Sequence, residues 1–538
     1  HWLETGDRFW YAYETAQGRK WYLVDPAART KKPLFDNAKM ASQLTRILLV
    51  PYDAQHLPIK TIKFVNKDTA IQFEIEVPKD NDILVGGKIV KASEIAKEEE
   101  KKDLDADKEK EKEKEQDTQK DKGKAADKPK EPEKKTKVLG FAYELASGKL
   151  ALIEDYKVPD KRPRWASVSP DEKTVVFARG ENLFLMDAES FKLAQKKADD
   201  KAVKEVQLTT DGEEHYSYAR ALTDEDKKEF QKDEKDRKDF RAPAGMVVWS
   251  KDSKKIALVR SDERKVADLW VINSLADPRP TLETYRYEMP GEENQPQPEI
   301  LVLDLASKAK VKVKADKFKD PTFDIFTAPR RALDREKEFP PPAQWLADGS
   351  DKLYFGRQSR DLHGYDVCVA DTATGEVKVL IEERLNTYVE AQDPWLLGGG
   401  KEIVWWSERD GWGHYYLYDG EGKLKAQITS GEFVGQGIEQ VDEKARILYF
   451  SACGREPGED PYYTHLYRVN LDGSGLKQLD RGNASHAAAL NDTARFFIDN
   501  FSRVDAAPKS ELRDAAGNLL LELESTDVTA LLAAGFKY

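Results

Sequence analysis

The sequence predicts an all-β chain, an eight-bladed β-propeller of four-stranded antiparallel blades. Three observations carry that expectation. A polar turn followed by an apolar, β-branched or aromatic run recurs eight times; each copy is followed by a second β-rich run; and no long amphipathic helices alternate with the strands. From Lys352 to Lys401 to Arg446 to Arg495 the unit recurs every 45–49 residues, close to the period of four-stranded blades. One such blade buries too little apolar surface alone, whereas blades set radially cover one another's faces.

Taken in order, the turn-plus-strand copies are ETGDRFWYAY (4–13), NKDTAIQFEI (66–75), SPDEKTVVFAR (169–179) and SKDSKKIALVR (250–260). LADGSDKLYFGR (346–357), GGGKEIVWWSE (398–408), VDEKARILYFS (441–451) and LNDTARFFIDN (490–500) continue the series. Each places Asp, Asn or Gly where a tight hairpin asks for unusual backbone angles. The partner runs are WYLVDPA (21–27), LGFAYELASG (139–148), NLFLMDAES (182–190), ILVLDLAS (300–307), YDVCVADTATG (365–375), YYLYDGEG (415–422), LYRVNLDGSG (466–475) and the weaker SELRDAAG (510–517). Asn470-Leu471-Asp472-Gly473 carries a hairpin signal of its own.

Three insertions interrupt the pattern. Residues 97–137 are nearly all charged or small, cannot offset their ordering entropy by apolar burial, and are expected to form a charged, mobile excursion from blade 2. Asp224 to Phe240 has acid–base pairs at i,i+4, which predict a short exposed helix before blade 4. Leu275 to Pro298 holds five prolines and is expected to be an extended loop rather than a strand.

Composition narrows the function classes. The 538 residues carry a net charge of −12, which argues against a nucleic-acid surface. Apolar runs stay well short of a membrane-spanning helix. Two cysteines, Cys368 and Cys453, fall in different repeats and read as buried free thiols rather than a disulfide framework or metal knuckle. No G-x-S-x-G is present: Gly473-Ser474-Gly475 sits in a hairpin turn. Gly435-Gln436-Gly437 lacks the third glycine of a phosphate loop. The seven histidines are isolated in sequence, so no metal ligand set and no cofactor is expected, and no catalytic residue is assigned in this chain. His414 and His465 occupy matching places before partner strands and are expected to pack rather than to catalyse.

The stretches WSKDSKKIALVR, PRPTLETYRYEMPGEENQPQPEILVLDL, WWSERDGWGHYYLYDGEGKLKAQITSGEF, THLYRVNLDGSGLKQL and FIDNFSRVDAAPKSELRDAAG together resemble the N-terminal propeller of dipeptidyl peptidase IV-like (prolyl oligopeptidase family) serine peptidases. The likeness spans essentially the whole chain apart from the charged tract. It implies a propeller over residues 1–527 that gates peptide access to an α/β-hydrolase domain carrying the catalytic triad. That domain is not in this chain, and 528–538 would begin the linker to it. It further implies a periplasmic or extracellular setting, peptide substrates and a homodimer. In this family a helical excursion before blade 4 carries a Glu pair that holds the substrate's ammonium group. Only Asp239 falls near that place here, flanked by Lys238 and Arg241. This departure puts strict release of dipeptides from free N-termini in doubt. Asp239, Arg241 and Tyr388, the last in the lead-in to blade 6, are the candidate substrate contacts. The rival readings are a stand-alone peptide- or protein-binding propeller and a polysaccharide-acting propeller, which would need paired carboxylates at its funnel mouth.

Overall fold

The computed structural model describes residues 1–4, 6–15, 18–95, 135–159, 161–230, 238, 240–335 and 340–537. The expected mobile excursion at 97–137 lies almost wholly outside them, as does Asp239. Among the described residues the protein is mostly β, with 44% strand and 8% helix. It divides into two compact units: His1–Asp160 with Val504–Asp514 and Leu519–Tyr538, and Lys161–Arg503 with Ala515–Asn518.

The second unit holds five four-stranded antiparallel sheets in chain order, followed by the hairpin Ser485–Leu490/Phe496–Arg503. Their second strands are Thr174–Arg179, Lys255–Asp262, Lys352–Gln358, Glu402–Ser407 and Ile447–Cys453. Those are the apolar runs of the sequence repeat. Strand periodicity explains how the sheets stack, because successive side chains point to opposite faces. In Glu402–Ser407, Ile403 and Trp405 join the core shared with Phe355 and Val367 of the preceding sheet. Val404 and Trp406 join Leu448, Phe450 and Tyr467 of the following one. Trp249, Ile256 and Leu301 pack in the same way against Val176 and Leu183. Tyr449 and Leu466 pack against Ala494 and Phe497. Both faces of an inner sheet are therefore buried, which is why EIVWWS reads as a continuous apolar run rather than an alternating one.

The first unit contains the three-stranded sheet Phe9–Thr15/Gly18–Asp25/Thr30–Pro33, a four-stranded sheet built on Ala70–Pro78 and Thr136–Glu144, and the hairpin Ala506–Asp514/Leu519–Ser525. The chain's last strand is held beside its first sheet. Tyr11 Oη donates to Glu524 at 2.8 Å, Tyr13 Oη to the Ser525 carbonyl at 2.5 Å, and Lys31 Nζ lies 2.6 Å from Glu524.

Three features depart from the sequence reading, and a fourth, the helical insertion, agrees with it over the described residues. A 12-residue amphipathic helix, Asn37–Leu48, follows the first sheet. Asp36 caps it by accepting from Lys39 N, and Met40, Leu44, Ile47 and Leu48 are buried on one face. The five-proline insertion is not all loop: Thr281–Arg286 pairs with Asp268–Asn273 as an antiparallel hairpin. Pro278 and Pro280 lie before this strand and Pro290 after it, while Pro298 is the second residue of the strand Gln297–Asp304, opposite Ser261. Of the expected helical insertion, Asp224–Phe230 is α-helix, and 231–237 lie outside the described residues. Finally, the left-handed positions in several repeat turns fall on Glu172, Ser253, Arg446 and Ala494 rather than on the neighbouring Asp or Asn. Those acidic and amide side chains act instead as caps, as where Asp171 accepts from Lys173 N and Asn491 from Arg495 N. Both cysteines are free; Cys368 is buried, which pushes its thiol up to about 12, while Cys453 is only partly covered.

Candidate functional site

A cavity of about 860 Å³ opens within the second unit, lined by residues in or beside the first strands of three consecutive sheets. Its wall includes Thr327 and Gln344, which follow the strand Thr322–Ile325. Gln392 to Leu396 surround the strand Trp395–Leu397, and Ile438 comes from the strand Val434–Asp442.

Asp393 stands in this wall, and the charge of Asp324, on the strand Thr322–Ile325, acts on it. Both reach solvent, yet the surrounding walls strip much of their hydration and raise both above the ordinary aspartate value. The Asp324 charge raises Asp393 further. Tyr365 partly offsets the effect on Asp324. The backbone makes room for the Tyr365 phenol. Asp324 pairs with Gly356 across the first two strands of its sheet, and a Cβ at Gly356 would lie 1.8 Å from the Tyr365 hydroxyl oxygen. The absent side chain thus leaves the space that the phenol occupies. The Tyr365 ring stacks on Trp405 of the next sheet, with centroids 5.8 Å apart. A second carboxylate pair sits close by in sequence: Glu408 is raised by burial and by the charge of Glu390. Two crowded carboxylates in a partly desolvated wall attract a cation with several donors.

The lead-in that carries Tyr388 is pinned at several points. Val389 N donates to the Leu362 carbonyl at 2.8 Å, and Gln358 Nε2 to the Val389 carbonyl at 3.1 Å. Gln392 Nε2 donates to the Gln436 carbonyl at 3.1 Å. Tyr388 projects from this anchored segment and is 55% exposed. Arg241 belongs to a different cluster. Its Nε donates to Glu205 at 2.7 Å and its Nη1 to the Ala198 carbonyl at 2.9 Å, while the guanidinium lies over the rings of Trp165 and Phe177. Glu205 also binds Arg179 at 2.6 Å. The helix Asp224–Phe230, which leads into the segment holding Asp239, is anchored by buried Asp226. Asp226 accepts from Arg164 Nε at 2.8 Å, Arg220 Nη1 at 2.6 Å and Thr223 N at 2.9 Å.

Residues 141–508 match the model of the dipeptidyl peptidase IV N-terminal region. The chain belongs to that family. Over 167 residues it is 26% identical to a dipeptidyl peptidase 4 of Arthroderma otae, spanning 29% of this chain and 20% of the relative. An Ajellomyces dermatitidis protein described as a probable dipeptidyl-aminopeptidase B is 24% identical over 354 residues, 60% of this chain and 33% of that protein. The crystal structure of Porphyromonas gingivalis dipeptidyl peptidase 4 superposes with a TM-score of 0.54 at 16% identity, covering 100% of this chain and 61% of that one. The matches thus span a third or less of the curated relatives and 61% of the solved one, in each case less than two thirds of its length. Sequence reasoning did not find the Asp324/Asp393 pair. The two residues are far apart in the chain, and the one local signal was a glycine inside the strand run KLYFGRQ.

His414 packs as expected for this family member's repeat. Its Nδ1 lies 3.1 Å from Thr429 Oγ1 and its Nε2 2.9 Å from the Gly431 carbonyl. His465 Nδ1 lies 2.8 Å from Asp480 Oδ1 and its Nε2 2.9 Å from Glu459 Oε2.

Proposed function

We propose that the chain is the substrate-gating, eight-bladed propeller of a serine exopeptidase resembling dipeptidyl peptidase IV. Peptide-bond hydrolysis is then carried by an α/β-hydrolase domain on another polypeptide segment. The observation that carries this reading is the family match over 141–508 together with the cavity at the first strands. Consecutive sheets share cores face to face, as blades do, and the first sheet holds the last strand, as a closing ring requires. On this reading the propeller runs over 1–527. The segment 528–538, where Leu531, Leu532 and Phe536 leave apolar surface exposed, leads to the hydrolase. The Asp324/Asp393 wall supplies counter-charge for a cationic group of the peptide, with Tyr388, Arg241 and Asp239 as further substrate contacts. The protein works in the periplasm or outside the cell; among the described residues no helix is long and apolar enough to cross a membrane. A second copy of the chain is the proposed partner of the exposed hairpin Asp268–Arg286.

The test pairs this chain with the polypeptide encoded after it. Fluorophosphonate should label a serine in the hydrolase and none here. The assembled enzyme should hydrolyse short dipeptidyl-nitroanilides and peptides but spare folded proteins. If no hydrolase segment exists and peptides bind the chain alone, a stand-alone binding propeller replaces this reading.

A further inference from the structure

We propose that His465, Asp480 and His486 form a buried site for one divalent transition-metal ion of the zinc class, stapling two consecutive sheet modules together. His465 is the second residue of the strand Thr464–Asn470, and Asp480 follows the strand Lys477–Gln478 of the same sheet. His486 is the second residue of Ser485–Leu490, the first strand of the next module. All three side chains are buried, and one ligand atom from each lies within 4.8 Å of the others. His465 Nδ1 is 2.8 Å from Asp480 Oδ1, and His486 Nδ1 is 3.9 Å from Asp480 Oδ2. Two imidazole nitrogens and one carboxylate suit zinc, cobalt or nickel far better than calcium or magnesium, which take all-oxygen shells.

The outer contacts are those of metal-binding histidines. A ligating imidazole presents one nitrogen to the metal and donates its other N–H to a carboxylate or carbonyl, which fixes ring and tautomer. His465 Nε2 lies 2.9 Å from Glu459 Oε2, and His486 Nε2 lies 3.2 Å from the Gly482 carbonyl. Leu466 N donates to Asp480 Oδ2 at 2.6 Å and orients that carboxylate. Asp499 Oδ1, 2.8 Å from His486 Nδ1, and the Gln478 amide, 3.0 Å from His465 Nδ1, stand at the remaining side. With both histidines neutral, Asp480 and Asp499 balance a dication. When the ion enters, its bonds to the two Nδ1 atoms replace any protons there, which pass to solvent.

The preceding sheet supplies an internal comparison. His414 occupies the place of His465, and the partner fifteen residues on is Thr429 where this site has Asp480. A packing histidine in this fold is satisfied by a hydroxyl and a carbonyl. The replacement of that hydroxyl by a buried carboxylate, with a second histidine ring 4.9 Å from the first, goes beyond what packing asks.

The test uses the intact chain after dialysis against a chelator. Titration with Zn²⁺ should fill one site per chain with micromolar or tighter affinity and raise the thermal midpoint. Co²⁺ should give the visible absorption of a nitrogen- and oxygen-ligated ion. Affinity should fall at least ~10-fold in His486→Gln and Asp480→Asn, by about 10-fold in Glu459→Gln, and not at all in His414→Gln. Absence of one-site binding by the unsubstituted chain overturns the proposal whatever the variants do. Binding that His465→Gln and His486→Gln leave untouched overturns it as well. Neither outcome bears on peptide gating, which the hydrolysis assay reads separately.

Discussion

Arg357 and Asp366 face one another across the second and third strands of their sheet, with Nη2 2.7 Å from Oδ2 and both side chains buried. Lys317 at 3.1 Å and Arg384 at 2.5 Å complete the shell of Asp366 and hold its carboxyl below the ordinary value against the penalty of burial. The preceding sheet uses the same cross-strand place for Arg260 and Glu299, 2.6 Å apart. Breaking such a pair leaves a buried charge without compensation. Asp366→Ala is expected to cost about 3–5 kcal/mol in urea unfolding. Arg384→Ala, at the more exposed end, should cost under about 1 kcal/mol. A carboxyl lowered in the folded state stabilises above the ordinary aspartate range and loses that contribution as pH falls through its folded value. The gap between wild type and Asp366→Asn should therefore close toward low pH.

Gly356 should tolerate no side chain. A methyl there meets the Tyr365 hydroxyl, which cannot retreat without disturbing its stack on Trp405. Gly356→Ala is expected to destabilise by about 1–3 kcal/mol, and Gly356→Ala combined with Tyr365→Phe by less, because the clashing oxygen is gone. Equal losses in the single and double variants would show that the contact is not what limits this position.

Asp393 carries the opposite pH signature to Asp366. Its folded value is raised, by burial first and by Asp324 second. A raised carboxyl favours the folded state below the unfolded value, and that advantage is lost as pH rises through the folded one. Asp393→Asn should thus be more stable than wild type at neutral pH, with the difference shrinking as pH drops into the ordinary aspartate range. Chemical denaturation at several pH values measures this. If the pair also holds the cationic end of a peptide, the same substitution raises KM for peptide substrates while stability improves.

How much of this was legible differs from element to element. Trp405 and Trp406 lie in an unbroken apolar run, and that run gave away a strand covered on both faces. Helix Asn37–Leu48 was hidden because its core positions are interspersed with Lys, Ser, Gln and Thr in a chain otherwise read with a strand period. The turn geometry at Glu172 and Ser253 escaped because Asp171 and Asp252 act through their side chains, leaving the left-handed angle to an ordinary neighbour. Neither Asp324 with Asp393 nor His465 with His486 forms a sequence motif. Their spacing is set by which strands of consecutive sheets come together, a property of stacking rather than of local pattern.

The hairpin Asp268–Arg286 gives the last test. Trp270, Ile272 and Leu282 are 71%, 70% and 65% exposed, and Ile272 lies directly opposite Leu282 in the ladder. A two-stranded ribbon is marginal by itself in water. This one also leaves a strand edge and large apolar side chains uncovered, which a second copy could cover by pairing and burial. Trp270→Glu with Leu282→Lys is expected to convert a dimer to a monomer in sedimentation velocity at micromolar concentration. The unfolding midpoint of the sheets should change by less than that of Asp366→Ala, since none of the three side chains belongs to a sheet core. A wild-type chain that sediments as a monomer across that range would remove the second copy as the partner of this surface.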